Sequence, residues 1–242
     1  MGIITFTGWK NIWPTYRSKV VAASQALTPE ILLRAYGSGI FPMAQSWDDP
    51  HWSWIDPEWR GILPLDGFHL PRSLAKRIRA LPFEVRVDSD FRGVMMACAK
   101  PAPDRPNTWI NPRIVEAYVG LHARGHAHSV ECWRDGQMVG GLYGVRLGGA
   151  FFGESMFSIE TDASKVALVY LVARLKAGGF ILLDTQFVTD HLARFGATEV
   201  TRPEYHHLLD RACQTQADFY RLGPVDGLAG AATVLQLVTQ TS

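Results

Sequence analysis

The sequence predicts an α+β fold, a mixed sheet with helices laid on it, and three observations carry that expectation. The elements read in the order strand, helix, several strands, helix, strand. Two apolar runs between Met138 and Phe157 flank Gly148-Gly149, as the arms of a hairpin do. An apolar helical run from Asp162 to Ala177 is then stopped by Gly178-Gly179 and followed by a short buried-type strand, Phe180 to Leu183. With 242 residues, 47% hydrophobic and 19% charged, the chain can bury a substantial core without disulfides.

Taken in order, the front of the chain is aromatic and rich in turns. Six of the eight tryptophans (9, 13, 47, 52, 54 and 59) and five prolines (14, 29, 42, 50 and 57) precede residue 60, so residues 1–60 read as a small Trp-rich N-terminal domain. Within it, Thr28-Pro29-Glu30 supplies an N-cap, a first-turn proline and an early acid to a short helix that Gly37 and Gly39 end. Leu70, Leu74, Ile78 and Leu81 lie at helical spacing, with Arg72, Lys76 and Arg79 on another face. Phe83 to Val87 alternates as a strand, Ile114 to Arg124 is helical, and Ala127 to Arg134 is a strand. The strand at 180–183 delivers Asp184, Thr185 and Gln186 at its end. Residues 61–213 form the main domain in this reading, and 214–242, small-residue-rich after Gly223, an appended C-terminal tail.

The charges nearly cancel, 24 Lys plus Arg against 23 Asp plus Glu for a net +1, which excludes a protein coated in positive charge. A local stripe survives that total: residues 60–100 hold eight basic and four acidic residues. Cys98, Cys132 and Cys213 are sparse and widely spaced, as in reduced cytosolic proteins. The first residues lack the layout of a signal peptide, and apolar runs such as Val166 to Val172 are too short to span a bilayer, so a soluble cytoplasmic protein is expected.

Three stretches could carry chemistry. Asp184 and Gln186 stand two apart at a strand end, so strand geometry would point the carboxylate and the carboxamide to one face. An ionised Asp could orient a Gln whose oxygen accepts from an amine; equally, the Asp could cap the turn and the Gln bond nearby backbone. Glu154, set in Phe151-Phe152-Gly153-Glu154-Ser155-Met156-Phe157, is a charge in apolar company, either an active-site group or a structural carboxylate bonded to backbone or an Arg. Arg72, Lys76 and Arg79 make a ladder suited to phosphates, although such runs are more often solvated faces. His126, His128, Glu131 and Cys132 look metal-like, but a strand splits them between faces. Gly140-Gly141-Leu142-Tyr143-Gly144 matches no phosphate loop.

At Thr108-Trp109-Ile110, Ala127-His128-Ser129-Val130-Glu131, Val139 to Gly144 and Gly153-Glu154-Ser155-Met156-Phe157 the chain resembles leucyl/phenylalanyl-tRNA–protein transferases. Ala163-Ser164-Lys165, Asp184-Thr185-Gln186 and Ala35-Tyr36…Gly39-Ile40-Phe41-Pro42 extend the resemblance over about residues 28–207. It implies an acetyltransferase-like (GNAT) domain behind a small N-terminal domain, in a cytoplasmic enzyme of the N-end rule pathway. Such an enzyme moves Leu or Phe from its tRNA onto proteins that begin with Lys or Arg. It further implies that Asp184, Gln186 and Glu154 are catalytic, that Leu142 and Phe151 line the donor side-chain pocket, and that Trp109 lies near the aminoacyl-adenosine. Arg72, Lys76 and Arg79 would face tRNA. Thr185 stands where the family often has Cys. Met43 stands where an aromatic commonly follows Gly-Ile-Phe-Pro, a replacement that bears on donor selectivity.

Turning an ester into an amide is downhill, so neither metal nor cofactor is expected. Asp184 is expected to orient Gln186, Gln186 to orient the amine, and Glu154 with Asp184 to supply negative potential for a basic acceptor. An acyl-CoA acetyltransferase would need a glycine-rich pyrophosphate turn, and none stands out. A non-catalytic binder of tRNA or of basic N-termini is the alternative of another class.

Overall fold

Two sheets organise the described residues. The computed structural model describes residues 18–23 (backbone only), 27–101 and 107–240. A small antiparallel sheet, in the order β1-β3-β2, is formed by β1 (Ser18–Ala23), β2 (Phe41–Met43) and β3 (Trp52–Pro57). Between β1 and β2 lies α1 (Pro29–Gly37), where the Thr28 hydroxyl accepts from the Ile31 N–H at 3.3 Å, as the N-cap signature predicts.

The seven-stranded sheet has the order β10-β4-β9-β8-β7-β6-β5. Its strands are β4 (Trp59–Ile62), β5 (Glu84–Val87), β6 (Ala127–Arg134), β7 (Gln137–Leu147), β8 (Ala150–Ser158), β9 (Leu182–Gln186) and β10 (Thr198–Thr201). Every neighbouring pair is antiparallel except β8 and β9, which are parallel, as the crossover between them requires. The sheet is therefore mixed and the class α+β, as predicted.

The helices are α2 (Arg72–Arg79), α3 (Phe91–Ala99), α4 (Pro112–His122), α5 (Ala163–Gly178), α6 (Asp190–Ala193), α7 (Arg202–Gln214) and α8 (Gly227–Thr239). The crossover helix α5 covers one face of the large sheet together with α2 and α8, around Leu142, Phe151, Met156 and Leu183. Helices α1, α3, α4 and α7 cover the other face, around Tyr143, Val145, Phe152 and Phe157. Strand alternation divides the core in this way, because successive side chains of β7 and β8 go to opposite faces.

The hairpin turn falls at the predicted glycines. Gly148 has φ +57°, and a Cβ there would stand 2.5 Å from the Cys213 carbonyl oxygen, so a side chain is excluded by both conformation and contact. Leu32, Tyr36, Phe41 and Ile55 of the N-terminal segment share the α1-face cluster with Tyr143 and Phe152. Among the described residues that segment therefore has no separate core.

Much of the stretch read as an appended tail packs onto the core. Residues 227–239 form α8, whose Ala231, Val234, Leu235 and Val238 are buried in the α5-face cluster. Their spacing is helical, a signal hidden by the small residues around them. The segment before α8 is held as firmly: Arg174 donates to the Phe219 carbonyl at 3.0 Å and to that of Gly223 at 2.8 Å, and Phe219 is fully buried. Two unforeseen helices also carried signals, Asp90 as the N-cap of α3 and the Thr201/Glu204 capping box of α7.

Candidate active site

Three of the residues singled out in the sequence meet where β8 and β9 stop pairing. The parallel register covers Ala150, Phe151 and Phe152 against Leu182, Leu183 and Asp184 and goes no further. On the other side of β8 the register with β7 slips, Tyr143 facing Ser155 and Gly144 facing Gly153, which leaves Glu154 as the extra residue of a bulge. A bulge re-aims a side chain, and here it turns Glu154 toward α1 and α4.

The Glu154 carboxyl is buried, 2% exposed. Tyr36 of α1 donates to its Oε1 at 2.6 Å, Tyr118 of α4 to Oε2 at 3.3 Å, and Gln186 Nε2 to Oε1 at 3.3 Å. The two phenol hydroxyls also contact each other. Burial pushes the Glu154 pKa up to about 8, and the nearby Asp184 charge adds to the rise; the Tyr36 and Tyr118 hydrogen bonds oppose it. The carboxyl is thus protonated through most of the neutral range.

Asp184 is fully buried and ion-paired with Arg60 of β4. Arg60 Nη2 donates to Oδ2 at 2.7 Å and Nε to Oδ1 at 3.0 Å, the two-point geometry of a guanidinium on a carboxylate. Tyr205 of α7 donates to Oδ2 at 2.6 Å, and the Gln186 backbone N–H to Oδ1 at 2.7 Å. Arg60 Nη1 donates to the Gly39 carbonyl at 2.8 Å, and the guanidinium lies 4.7 Å from the Phe41 ring centroid and 4.4 Å from that of Tyr205. Burial disfavours the Arg60 charge, but the Asp184 carboxylate beside it outweighs this and holds its pKa above the ordinary value. Gly61 permits the close approach of β4 to β9, since a Cβ there would lie 2.6 Å from the Phe187 carbonyl carbon.

Asp184 and Gln186 do not project together as neighbours on a flat strand: Gln186 has φ +57°, and Asp184 holds it through its backbone N–H, while the carboxamide turns to Glu154. The two carboxyls expected to supply negative potential, Glu154 and Asp184, stand in different surroundings: Asp184 is paired with Arg60, and burial raises the Glu154 pKa to about 8. Arg60, counted in the basic stretch 60–100, is buried and contributes nothing to a surface stripe. Arg86 and Arg92 in the same stretch pair with Glu84 and Glu116.

The remaining predicted residues are dispersed. Leu142 and Phe151 lie together in the α5-face cluster, whereas Met43 and Trp109 are buried in the cluster on the other face. Met43 and Trp109 are neighbours through backbone, the N–H of Ala44 donating to the Trp109 carbonyl at 3.0 Å. Arg72, Lys76 and Arg79 are exposed on α2, on the α5 side. Sequence reasoning missed Arg60, Tyr36, Tyr118 and Tyr205. Arg60 had the same signal as Glu154, a lone charge in apolar company (Trp59-Arg60-Gly61-Ile62-Leu63), and Tyr36 sat inside a block already noted. Tyr118 and Tyr205 had none. Among the described residues no group of three His, Cys, Asp or Glu gathers as metal ligands do. Glu131 is occupied by the backbone N–H groups of Ser89 and Asp90, the hydroxyls of Ser89 and Ser129, and the Trp133 indole.

Residues 62–210 match the family described as leucyl/phenylalanyl-tRNA protein transferase, and residues 25–58 match the N-terminal domain of that family. The chain belongs to the leucyl/phenylalanyl-tRNA–protein transferase family. A transferase of that name from Nitrobacter winogradskyi is 58% identical over 220 residues, 91% of this chain and 97% of the relative. One from Phenylobacterium zucineum is 57% identical over 213 residues, 87% and 96% of the two chains, and one from Rhizorhabdus wittichii 60% over 210 residues, 86% and 80%. The chain is thus a transferase, and Glu154, Asp184 and Gln186 all lie inside the matched range. Among the described residues no helix is long and apolar enough to cross a membrane.

Proposed function

We propose that this transferase moves Leu or Phe from aminoacyl-tRNA onto the α-amine of proteins beginning with Lys or Arg, in the cytoplasm, and so marks them for N-end rule degradation. The observation that carries the reading is the convergence of Glu154, Gln186 and Asp184 where β8 and β9 part. A parallel pair that parts within a mixed, helix-flanked sheet also supports the acetyltransferase-like (GNAT) assignment. The boundary near residue 60 is supported by β3 ending at Pro57 in the small sheet while β4 starts at Trp59 in the large one. The catalytic unit then extends through α8.

Aminolysis of the ester requires the amine to be placed near the carbonyl and its proton to be removed. An α-amine has a pKa of about 7.7–8.0, so the neutral nucleophile is accessible near pH 7. With Nε2 of Gln186 engaged by Glu154, its carboxamide oxygen is the group left to accept from that amine and orient it. A carboxamide is a very poor base, so the departing ribose oxygen collects the proton. Neither step calls on a metal or a cofactor.

The family resemblance assigns Leu142 and Phe151, which lie together on the α5 face, to the donor pocket, and Trp109 with Met43 to a position near the aminoacyl-adenosine. A side chain unbranched at Cβ fits such a pocket, while Val or Ile crowds it, a misfit of about 1–3 kcal/mol. Arg72, Lys76 and Arg79 are exposed and suited to tRNA phosphates. The Lys/Arg acceptor preference rests on the family resemblance. Met43, in place of the aromatic, favours a second reading in which the chemistry is the same and the donor ranking is altered. A non-catalytic binder of tRNA or N-termini would not need a buried carboxyl–carboxamide array.

The test is incubation with tRNAs charged with Leu, Phe or Met and peptides beginning with Lys, Arg, Asp or Glu. Transfer of Leu and Phe to the Lys and Arg peptides is expected. No transfer from any of the three donors refutes the proposal.

A further inference from the structure

We infer that Arg60 and Tyr205 are positioning residues of the transfer reaction: together they occupy the carboxylate of Asp184, so that Asp184 acts only by holding the Gln186 backbone in place. This inference rests on the roles proposed above for Asp184 and Gln186.

The lone pairs of Asp184 show why. A carboxylate has about four acceptor sites, two on each oxygen. Oδ1 receives Arg60 Nε at 3.0 Å and the Gln186 N–H at 2.7 Å; Oδ2 receives Arg60 Nη2 at 2.7 Å, the Tyr205 hydroxyl at 2.6 Å and, shared with Oδ1, Arg60 Nε at 3.1 Å. The four sites are filled, and the residue is fully buried. No acceptor site remains for the incoming amine, and the carboxylate's charge is already met by Arg60.

What the filled carboxylate still does is geometric. Gln186 has φ +57°, a conformation that a non-glycine residue adopts only when its surroundings impose it. The bond from its N–H to Asp184 is one such constraint, and the bond from its carboxamide to Glu154 is the other. Arg60 in turn is fixed by the Gly39 carbonyl at 2.8 Å and by the rings of Phe41 and Tyr205 on either side. The chain of contacts runs from the turn after α1, through β4, to the end of β9. It gives the N-terminal segment a part in setting the reacting geometry.

Arg60→Lys keeps the charge but loses the two-point grip, and Tyr205→Phe removes one oxygen and keeps the ring. Each is expected to lower kcat about 10- to 100-fold, the scale of a small misplacement at a reacting centre, with KM for aminoacyl-tRNA and for peptide unchanged. Placed on an Asp184→Asn background, either substitution should cost less than about threefold more, because the residues act as one unit. In ¹⁵N-labelled protein the Gln186 amide proton, bonded to a carboxylate, should move upfield in both variants. Losses that multiply, a loss that appears in KM, or an unmoved Gln186 amide would each overturn the inference. If Arg60→Lys does not fold, Tyr205→Phe carries the same measurements. A wild-type chain that transfers neither Leu nor Phe refutes the functional reading and the inference with it, whereas a wild type that transfers, with variants that keep its kcat, overturns the inference alone.

Discussion

Tyr36 on α1 donates to Glu154 on β8 at 2.6 Å, a buried phenol–carboxyl bond between residues 118 positions apart. It joins the helix of the N-terminal segment to the bulge of the large sheet, and no local pattern could have announced it. The consequence is a carboxyl whose protonation state is set by burial and by two tyrosines from different helices.

That protonation state should be visible in stability. The Glu154 pKa is raised from its ordinary 4.5 to about 8. Below about pH 4.5 the carboxyl is protonated whether the chain is folded or unfolded, and its favourable contribution is fully present. As pH rises toward 8, the unfolded chain releases the proton first, so stability falls by roughly 1.4 kcal/mol per pH unit from this group. Chemical denaturation between pH 5 and pH 8 should show this slope in the wild type and its loss in Glu154→Gln. Parallel pH dependence in the two proteins would contradict the assignment.

The two tyrosines should differ in weight. Tyr36→Phe removes a 2.6 Å bond and Tyr118→Phe a 3.3 Å one. Leaving a buried polar group short of a partner costs about 1–3 kcal/mol, and the larger cost should fall on Tyr36→Phe. Urea midpoints of the two variants at one pH decide the order.

The exposed side of α2 should act on tRNA alone. Reversing Arg72, Lys76 and Arg79 to Glu should raise KM for aminoacyl-tRNA and leave KM for the peptide unchanged. The salt dependence of tRNA binding should flatten by roughly 2–3 units of log–log slope, as for three lost phosphate contacts. An unchanged slope would mean that these cations face solvent only.

Helix α8 should be required for folding. Leu235 is buried against the α5-face core, and Leu235→Ala should cost about 2–5 kcal/mol, read by the urea midpoint. Truncation after Gly223 should expose that face and yield aggregation; a truncated chain as stable as the full one would show that α8 is dispensable.

Much of this molecule is set by local pattern. The N-cap at Thr28, the glycine turn at Gly148, the strand at Ala127–Arg134 and the helix stop at Gly178-Gly179 were legible because caps, turns and periodicities act over a few residues. Glu154, Asp184 and Gln186 were legible as polar groups in apolar company. Which of them carries charge was not, because that depends on groups brought in from α1, β4, α4 and α7. Arg60 comes from 124 positions away in the chain, and its pairing turns Asp184 from a free carboxylate into a filled one. The bulge at Glu154 and the positive φ of Gln186 likewise exist only once β7, β8 and β9 are in register. Residue chemistry is local, whereas solvation and partnership are set by the fold, and at this site burial and long-range pairing decide what each group can do.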